Sequence, residues 1–320
     1  MSSGHARAPL GPPRVEEVSD GVFAYIQPDG TWWINNMGFA AGRKHTIAID
    51  TSSTVARTTA YREAIARTTP VPVTTLVNTH HHGDHTNGNF LFPGATIVAH
   101  EDARRLILED GKEGLERLQK AGIFVNPDGG PDWGDIDPTP PFLTYAIGVD
   151  LYVDDLKLEV RHLGTPAHTT NDSVVWIPER KVLFTGDLLF NGGTPFLLMG
   201  SVTGAIEAVD ALKRFRAETI VPGHGDICTP AKIDEVLEYL RFVRELAVQG
   251  HSAGISPLEL GRDADLGKFA DLSDSERIVG NLHRAYLELD GAPRGAPIDA
   301  IKAIGDMVAF NDGKPLTCLA

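Results

Sequence analysis

His80-His81-His82-Gly83-Asp84-His85 places four potential metal ligands and their spacers within six residues. The run before it, Val71-Pro-Val-Thr-Thr-Leu-Val-Asn78, is apolar and β-branched with a proline at its start, and reads as a buried strand. A loop leaving such a strand can aim alternate side chains at one point. His80 and His82 then face one metal, while Asp84 and His85, beyond the flexible Gly83, turn toward a second. Imidazole and carboxylate are the ligands that hold divalent zinc, iron or manganese at an open, hydrolytic site.

A metal pair needs further histidines and a carboxylate bridging ions roughly 3.5–4 Å apart. His168 occurs in Gly164-Thr-Pro-Ala-His-Thr-Thr-Asn-Asp172, after the strand-like Leu156-Lys-Leu-Glu-Val-Arg-His162. Asp187 ends the apolar run Val182-Leu-Phe-Thr-Gly-Asp187, and His224 lies in Ile220-Val-Pro-Gly-His-Gly-Asp226. Each sits where a strand hands over to a glycine-containing loop, the place where α/β folds put ligands.

This arrangement resembles the metallo-β-lactamase superfamily from about Val22 to Asp226, with all seven ligand positions filled. The resemblance implies a first site of His80, His82 and His168, a second of Asp84, His85 and His224, and Asp187 as the bridge. It also implies a buried carboxylate near the ligands that fixes a histidine tautomer. Asp50, closing Thr46-Ile-Ala-Ile-Asp50, is the candidate; a strand-end turn residue is the simpler alternative. His81 reads as a spacer. His45, His100, His162, His251 and His283 are isolated and read as core or surface residues, and His5 lies in a tail.

The chain has 320 residues and a formal charge of −14. No segment is long and apolar enough to span a membrane. A nuclease would need a basic face toward a polyanion. The largest local excess, Arg104, Arg105, Arg117 and Lys120, is interleaved with acids on one helix, so nucleic acid is not expected as a partner. Cys228 and Cys318 are the only cysteines, which suits a reducing cytosol and a cytoplasmic location. Residues 1–13 lack a continuous apolar stretch and read as a leader rather than a secretory signal.

The pattern divides into a disordered leader (1–15), an α/β catalytic unit (16–228) and a helical C-terminal extension (229–320) packed on it. Val22–Ile26 and Thr31–Ile34 read as strands around the turn Gln27-Pro-Asp-Gly30, and a helix is expected over 54–68. Helix 101–121 is weakened by Gly111 and Gly114. The Pro-, Gly- and Asp-rich stretch 124–143 predicts an irregular loop whose Trp133 would wall or lid the site. Strands follow at 150–153, 156–162, 173–177 and 181–184, and Thr203 can cap the next helix. Beyond Thr229-Pro230 the pattern is helical, with capping boxes at Ser256–Glu259 and Ser273–Glu276 and a last helix over 297–310. Periodicity alone yields α/β; the four-layer αββα sandwich is what the resemblance implies.

Two divalent ions, zinc first and manganese or iron as alternatives, would acidify a water and polarise an acyl oxygen, with Asp84 orienting or accepting the proton of that water. An ester, thioester, lactone or amide is the expected substrate. Phe196, Leu198 and Met199, in Asn191-Gly-Gly-Thr-Pro-Phe-Leu-Leu-Met-Gly-Ser-Val-Thr-Gly204, would line an apolar rim with Trp133, or simply pack against the following helix. That segment, together with Ala264-Asp-Leu-Gly-Lys-Phe-Ala270, Leu282-His-Arg-Ala285 and the ending Ala309–Ala320, resembles aromatic polyketide second- and third-ring cyclase-thioesterases of the actinorhodin type. The resemblance implies aldol ring closure and thioester hydrolysis of a polyketide on an acyl carrier protein. Carrier proteins are generally acidic and so is this chain, so docking would need a local basic patch, for which Arg104 and Arg105 are the candidates. A general hydrolase of small esters, thioesters or lactones is the alternative. The C-terminal helices could also provide a homodimer surface.

Overall fold

Val22, Ala24 and Ile26 point to one side of their strand, Phe23 and Tyr25 to the other, and each side meets a different core. The architecture follows from that two-sided burial. The computed structural model describes residues 11–28, 30–126 and 131–320.

Strands β1 (Arg14–Ser19), β2 (Val22–Ile26), β3 (Met37–Ala41) and β4 (Thr46–Ile49) form an antiparallel meander. Helix α1 (Val55–Thr68) crosses back, so that β5 (Val73–Val77) pairs parallel with β4. The one-turn helix α2 (Gly83–Thr86) precedes β6 (Thr96–His100), and α3 (Glu101–Lys120) precedes β7 (Phe124–Val125) and β8 (Leu143–Tyr145). β6 and β8 complete a seven-stranded sheet. Strands β9 (Gly148–Val153), β10 (Leu156–His162), β11 (Ser173–Ile177) and β12 (Val182–Phe184) run antiparallel. After β13 (Phe190–Asn191) and α4 (Val202–Ala211), β14 (Thr219–Val221) returns parallel to β12 and ends the five-stranded second sheet. The short β15 (His224–Gly225) pairs with β13. Helices α5 (Ala231–Ser252), α6 (Pro257–Asp263), α7 (Arg277–Leu289) and α8 (Ala300–Phe310) follow, and β16 (Leu316–Thr317) pairs with β7.

Three cores stack the layers. Ile47, Ile49 and Val77 of the first sheet meet Leu158, Val160, Val175 and Phe184 of the second. On the outer face of the first sheet, Phe39 and Leu76 pack on Tyr61, Ala64 and Ile65 of α1. On the outer face of the second, Val174, Trp176 and Ile220 share one cluster with Val209, Leu240, Ile278 and Met307. The result is the αββα sandwich, and the C-terminal helices bury their apolar faces in its outer core. The inner strands β2, β3, β4, β11 and β12, covered on both faces, carry near-continuous apolar runs, whereas β1, β9 and β10 alternate polar and apolar residues. Among the described residues no helix is long and apolar enough to cross a membrane.

Local rules account for several boundaries. Thr54 caps α1 by accepting a hydrogen bond from Arg57 N at 3.2 Å, and Ser256 and Glu259 form a reciprocal capping box on α6. Gly111 interrupts α3 with φ 51° and ψ −165°, a conformation that disfavours any side chain.

Elsewhere the fold departs from expectation. Thr31–Ile34 is a turn, closed by Ile34 N donating to Thr31 O at 3.0 Å, with Trp33 at φ 68°; its indoles turn into a cavity rather than onto a sheet. Arg14 and Val15, assigned to the leader, pair with Ile26 and Tyr25 in β1; residues 1–10 lie outside those described. The cap of α4 is Ser201, which accepts from Gly204 N at 2.9 Å, because Glu288 already holds the Thr203 hydroxyl. Ser273–Glu276 makes no capping box: Glu276 accepts from Trp32 Nε1 at 2.6 Å instead.

Candidate metal centre

Strand β5 ends at Val77, and the next residues are held by their side chains. Asn78 Nδ2 donates to the His85 carbonyl at 3.0 Å, folding the chain back so that α2 begins at once. A single helical turn then presents Asp84 and His85, while His82, just before it, stays extended. His168 leaves the β10–β11 connection, Asp187 the turn after β12, and His224 opens β15 directly after the turn that follows β14. All four segments open from the carboxyl ends of strands.

Two groups result, His80–His82–His168–Asp187 and Asp84–His85–Asp187–His224, each with its potential ligand atoms within 4.8 Å of one another. Asp187 belongs to both. Its Oδ2 lies 3.2 Å from His224 Nε2, 3.3 Å from His168 Nε2 and 3.9 Å from His80 Nε2, and its Oδ1 3.1 Å from His85 Nε2. Asp84 Oδ2 stands 3.3 Å from His224 Nε2 and 3.7 Å from His85 Nε2. His82 brings Nδ1 to 2.8 Å from His168 Nε2. Ligand atoms bonded to one zinc at 2.0–2.1 Å in a tetrahedron lie about 3.3 Å apart.

The donor set fits divalent cations on a second count. His80 Nε2, His85 Nε2 and Asp187 Oδ1 are buried without a hydrogen-bond partner. Leaving such atoms unsatisfied costs about 1–3 kcal/mol each, and a cation among them removes that cost. Three of the opposite ring nitrogens are engaged: His85 Nδ1 lies 2.9 Å from Asp50 Oδ2, His168 Nδ1 2.5 Å from the Phe196 carbonyl, and His80 Nδ1 3.2 Å from Thr79 Oγ1, while His224 Nδ1 is buried without a partner. Asp50 itself is fixed by Thr79, whose amide and hydroxyl both donate to it at 2.7 Å.

Electrostatics separate the two groups. Burial pushes the His80 and His82 imidazoles well below the usual histidine range, and neighbouring imidazoles add to it. Both effects favour the neutral imidazole, the form that ligates. Burial opposes charge on His85 and His224 too, but Asp187 and the nearby carboxylates outweigh it, raising His85 strongly and His224 to about 9. Burial would likewise raise Asp187, yet His224, His85 and His168 hold it well below the carboxylate range. The carboxylates draw positive charge to this point. Close approach is also built in: a Cβ on Gly223 would fall 1.9 Å from Asp187 Oδ1, so only glycine lets the His224 turn come this near.

His82, Asp84, His168, Asp187 and His224 of the cluster line a cavity of about 370 Å³. Phe196, Leu198 and Met199 line it, as do Trp32, Trp33, Phe124 and Phe190, with Leu115 and Leu118 of α3 and Ile304 and Met307 of α8. Trp133 is not among its lining residues; it stacks edge-on against Trp33 at 4.8 Å and so backs a wall it does not form. Residues 127–130 of the same loop lie outside those described. His81 faces away from the potential ligands toward Asn171 Nδ2 at 3.0 Å. Sequence reasoning passed over Trp32 and Trp33, although two adjacent tryptophans after an Asp-Gly turn are a poor fit to an exposed hairpin. It also passed over Arg277, whose guanidinium stacks 4.1 Å above Trp32. Nothing local signals that the α3 and α8 residues meet here.

A family model described as the metallo-beta-lactamase superfamily matches residues 30–224. The chain is 31% identical to hydroxyacylglutathione hydrolase of Rhodospirillum rubrum over 222 residues, covering 65% of this chain and 73% of that protein. It is 25% identical to the human acyl-coenzyme A thioesterase MBLAC2 over 224 residues, covering 61% and 78%. Among solved structures, a metallo-beta-lactamase from Pontibacter korlensis superposes with TM-score 0.57 at 21% identity, covering 72% of this chain and 99% of that one.

Proposed function

Because the chain belongs to the metallo-beta-lactamase superfamily, we propose that it is a metal-dependent thioesterase acting on a bulky, apolar acyl group. One observation carries the reading: two histidine–aspartate groups sharing Asp187 put His82, Asp84, His168, Asp187 and His224 on the wall of a largely aromatic and aliphatic cavity. Relatives named as a hydroxyacylglutathione hydrolase and an acyl-coenzyme A thioesterase support thioester chemistry.

His80, His82 and His168 would hold one ion and Asp84, His85 and His224 the other, with Asp187 between them. Divalent ions held there, zinc by the nitrogen-rich donor set, supply a water acidified toward neutrality and a Lewis acid for the acyl oxygen. The chain's own part is positional. Asp84 lines the cavity and can take a proton from the attacking water. The aromatic walls exclude bulk water and hold the acyl group. Water adds at the acyl carbon and the carbon–sulfur bond breaks, giving a carboxylic acid and a thiol.

Within this class, the likeness of Thr194–Gly204 and the chain's ending to polyketide cyclases favours an aromatic polyketide thioester, closed by an aldol step before hydrolysis. The aromatic walls suit such a substrate. A carrier protein would dock through a local basic patch such as exposed Arg104 and Arg105, where Arg105 would first have to exchange its surface pairs with Asp102 and Glu109 at 3.0 Å.

The test is a substrate panel with the zinc-loaded protein: aromatic and short-chain acyl thioesters of coenzyme A and N-acetylcysteamine, beside simple lactones. Chelator-sensitive thiol release, fastest with the aromatic acyl group, is expected. Turnover of lactones without thioesters would replace this reading with the small-ester and lactone alternative. Ring-closed product from a β-polyketone thioester is required for the cyclase version; the linear acid alone would remove it.

A further inference from the structure

Helix α7 carries Arg277, Asn281, Arg284 and Glu288, spaced by four, three and four residues, on one face. Arg277, Asn281 and Arg284 are almost wholly buried. Besides contacts such as Asn281 Nδ2 to Tyr239 OH at 3.1 Å and Arg277 to Asp274 at 3.0 Å, the four read the backbone of Thr194–Thr203 in order. Arg277 Nη1 donates to Thr194 O at 3.0 Å, and Asn281 Nδ2 to Pro195 O at 2.8 Å. Leu197 N donates to Asn281 Oδ1 at 2.8 Å. Arg284 gives Nε and Nη2 to Leu198 O at 2.9 and 2.6 Å, and Glu288 accepts from Val202 N at 2.7 Å.

Residues 194–201 lie outside the sheets; Thr194 N and Ser201 N donate to the Ser273 and Ala167 carbonyls, and the carbonyls of Thr194, Pro195 and Leu198 are left to the buried side chains of α7. Asn281 grips the segment on both sides of Phe196, through Pro195 O and Leu197 N. The carbonyl between them, Phe196 O, accepts from His168 Nδ1 at 2.5 Å. That contact puts the proton on Nδ1 and leaves Nε2 turned to Asp187 and His82. Gly280 completes the fit, since a Cβ there would lie 3.0 Å from the Phe196 ring.

We propose that the polar stripe of α7, through Asn281 and Arg284, is a positioning device that orients His168 for the first metal site. The proposal rests on reading the histidine–aspartate cluster as a binuclear centre. It makes the C-terminal helices part of the metal machinery, though none of them supplies a ligand. Asn281 and Arg284 act through the Pro195–Leu198 backbone that carries Phe196, and touch no reacting atom.

The test is zinc uptake by chelator competition, with melting of the metal-free protein alongside, for wild type, Asn281→Ala, Arg284→Lys and Glu288→Gln. Wild type should take up two ions. In Asn281→Ala one ion should bind about 10–100-fold more weakly and the other unchanged, as for loss of an outer hydrogen-bond partner. Glu288→Gln, which touches the start of α4 and not the Phe196 neighbourhood, should keep both. If Asn281→Ala does not fold, Arg284→Lys carries the test, because it keeps the buried charge. Two ions held at full affinity in the folded variant would overturn the proposal. So would equal weakening of both ions in step with melting, the mark of a merely structural role. A wild-type chain that binds no zinc would instead remove the binuclear reading, and the proposal with it.

Discussion

Asp50 Oδ2 lies 2.9 Å from His85 Nδ1, while the other nitrogen of that ring faces Asp84 and Asp187. One carboxylate thus decides which imidazole nitrogen is free for a cation. It does so from a left-handed backbone position, φ 58°, which asparagine tolerates and β-branched residues do not.

Asp50→Asn keeps the backbone and removes the charge. Affinity for one of two zinc ions should fall about 10–100-fold, with the melting point of the metal-free protein little changed. Chelator competition reads the first and thermal unfolding the second. Unaltered zinc affinity would show that Asp50 only closes a turn.

Asp187 is common to both groups, and His82 belongs to one. Asp187→Ala should therefore lose both ions and all hydrolysis, whereas His82→Ala should lose one ion and most of the rate. Metal analysis of dialysed protein separates the two. Chelation of wild type should abolish turnover, and zinc or manganese restore it. Zinc at a thousandfold its dissociation constant should also add about 4 kcal/mol of stability.

Burial lowers His81 to about 4, partly offset by its contact with Asn171. The unfolded imidazole titrates near 6.5, so between these values the unfolded chain binds more protons. The contribution of His81 is thus complete above pH 6.5 and is lost as pH falls toward 4, with a span of about 3 kcal/mol. Urea unfolding of metal-free wild type and His81→Gln across pH 4–7 checks this. The gap between them should narrow with acid; a constant gap would refute the assignment.

Met199 lines the cavity yet is more than a third exposed, so its side chain contributes little to the core. Met199→Ala should leave stability nearly unchanged and lower kcat/KM for a bulky acyl thioester about tenfold, with short acyl groups unaffected. Trp33→Ala should do the same with a larger stability loss, because Trp33 also supports Trp133 and Phe124. Equal effects on short and bulky substrates would place the acyl group elsewhere.

What could be read from the chain alone was set by short-range physics. The strand–loop–turn around His80–His85, the helix opened by Thr54 and the capping box at Ser256–Glu259 follow from dihedral preferences and hydrogen bonds within a few residues. The αββα order followed from a likeness spread over the first two thirds of the sequence. Tertiary structure alone decided what surrounds the cluster. Glu276 looked like half of a capping box, but its carboxylate goes to Trp32, 244 residues away. Thr203 looked like a cap, but Glu288 had claimed it. Trp133 looked like a wall, and Trp33 stands in front of it. In each case a local group with several possible partners was taken by one brought from far along the chain, and only the packed core determines which arrives.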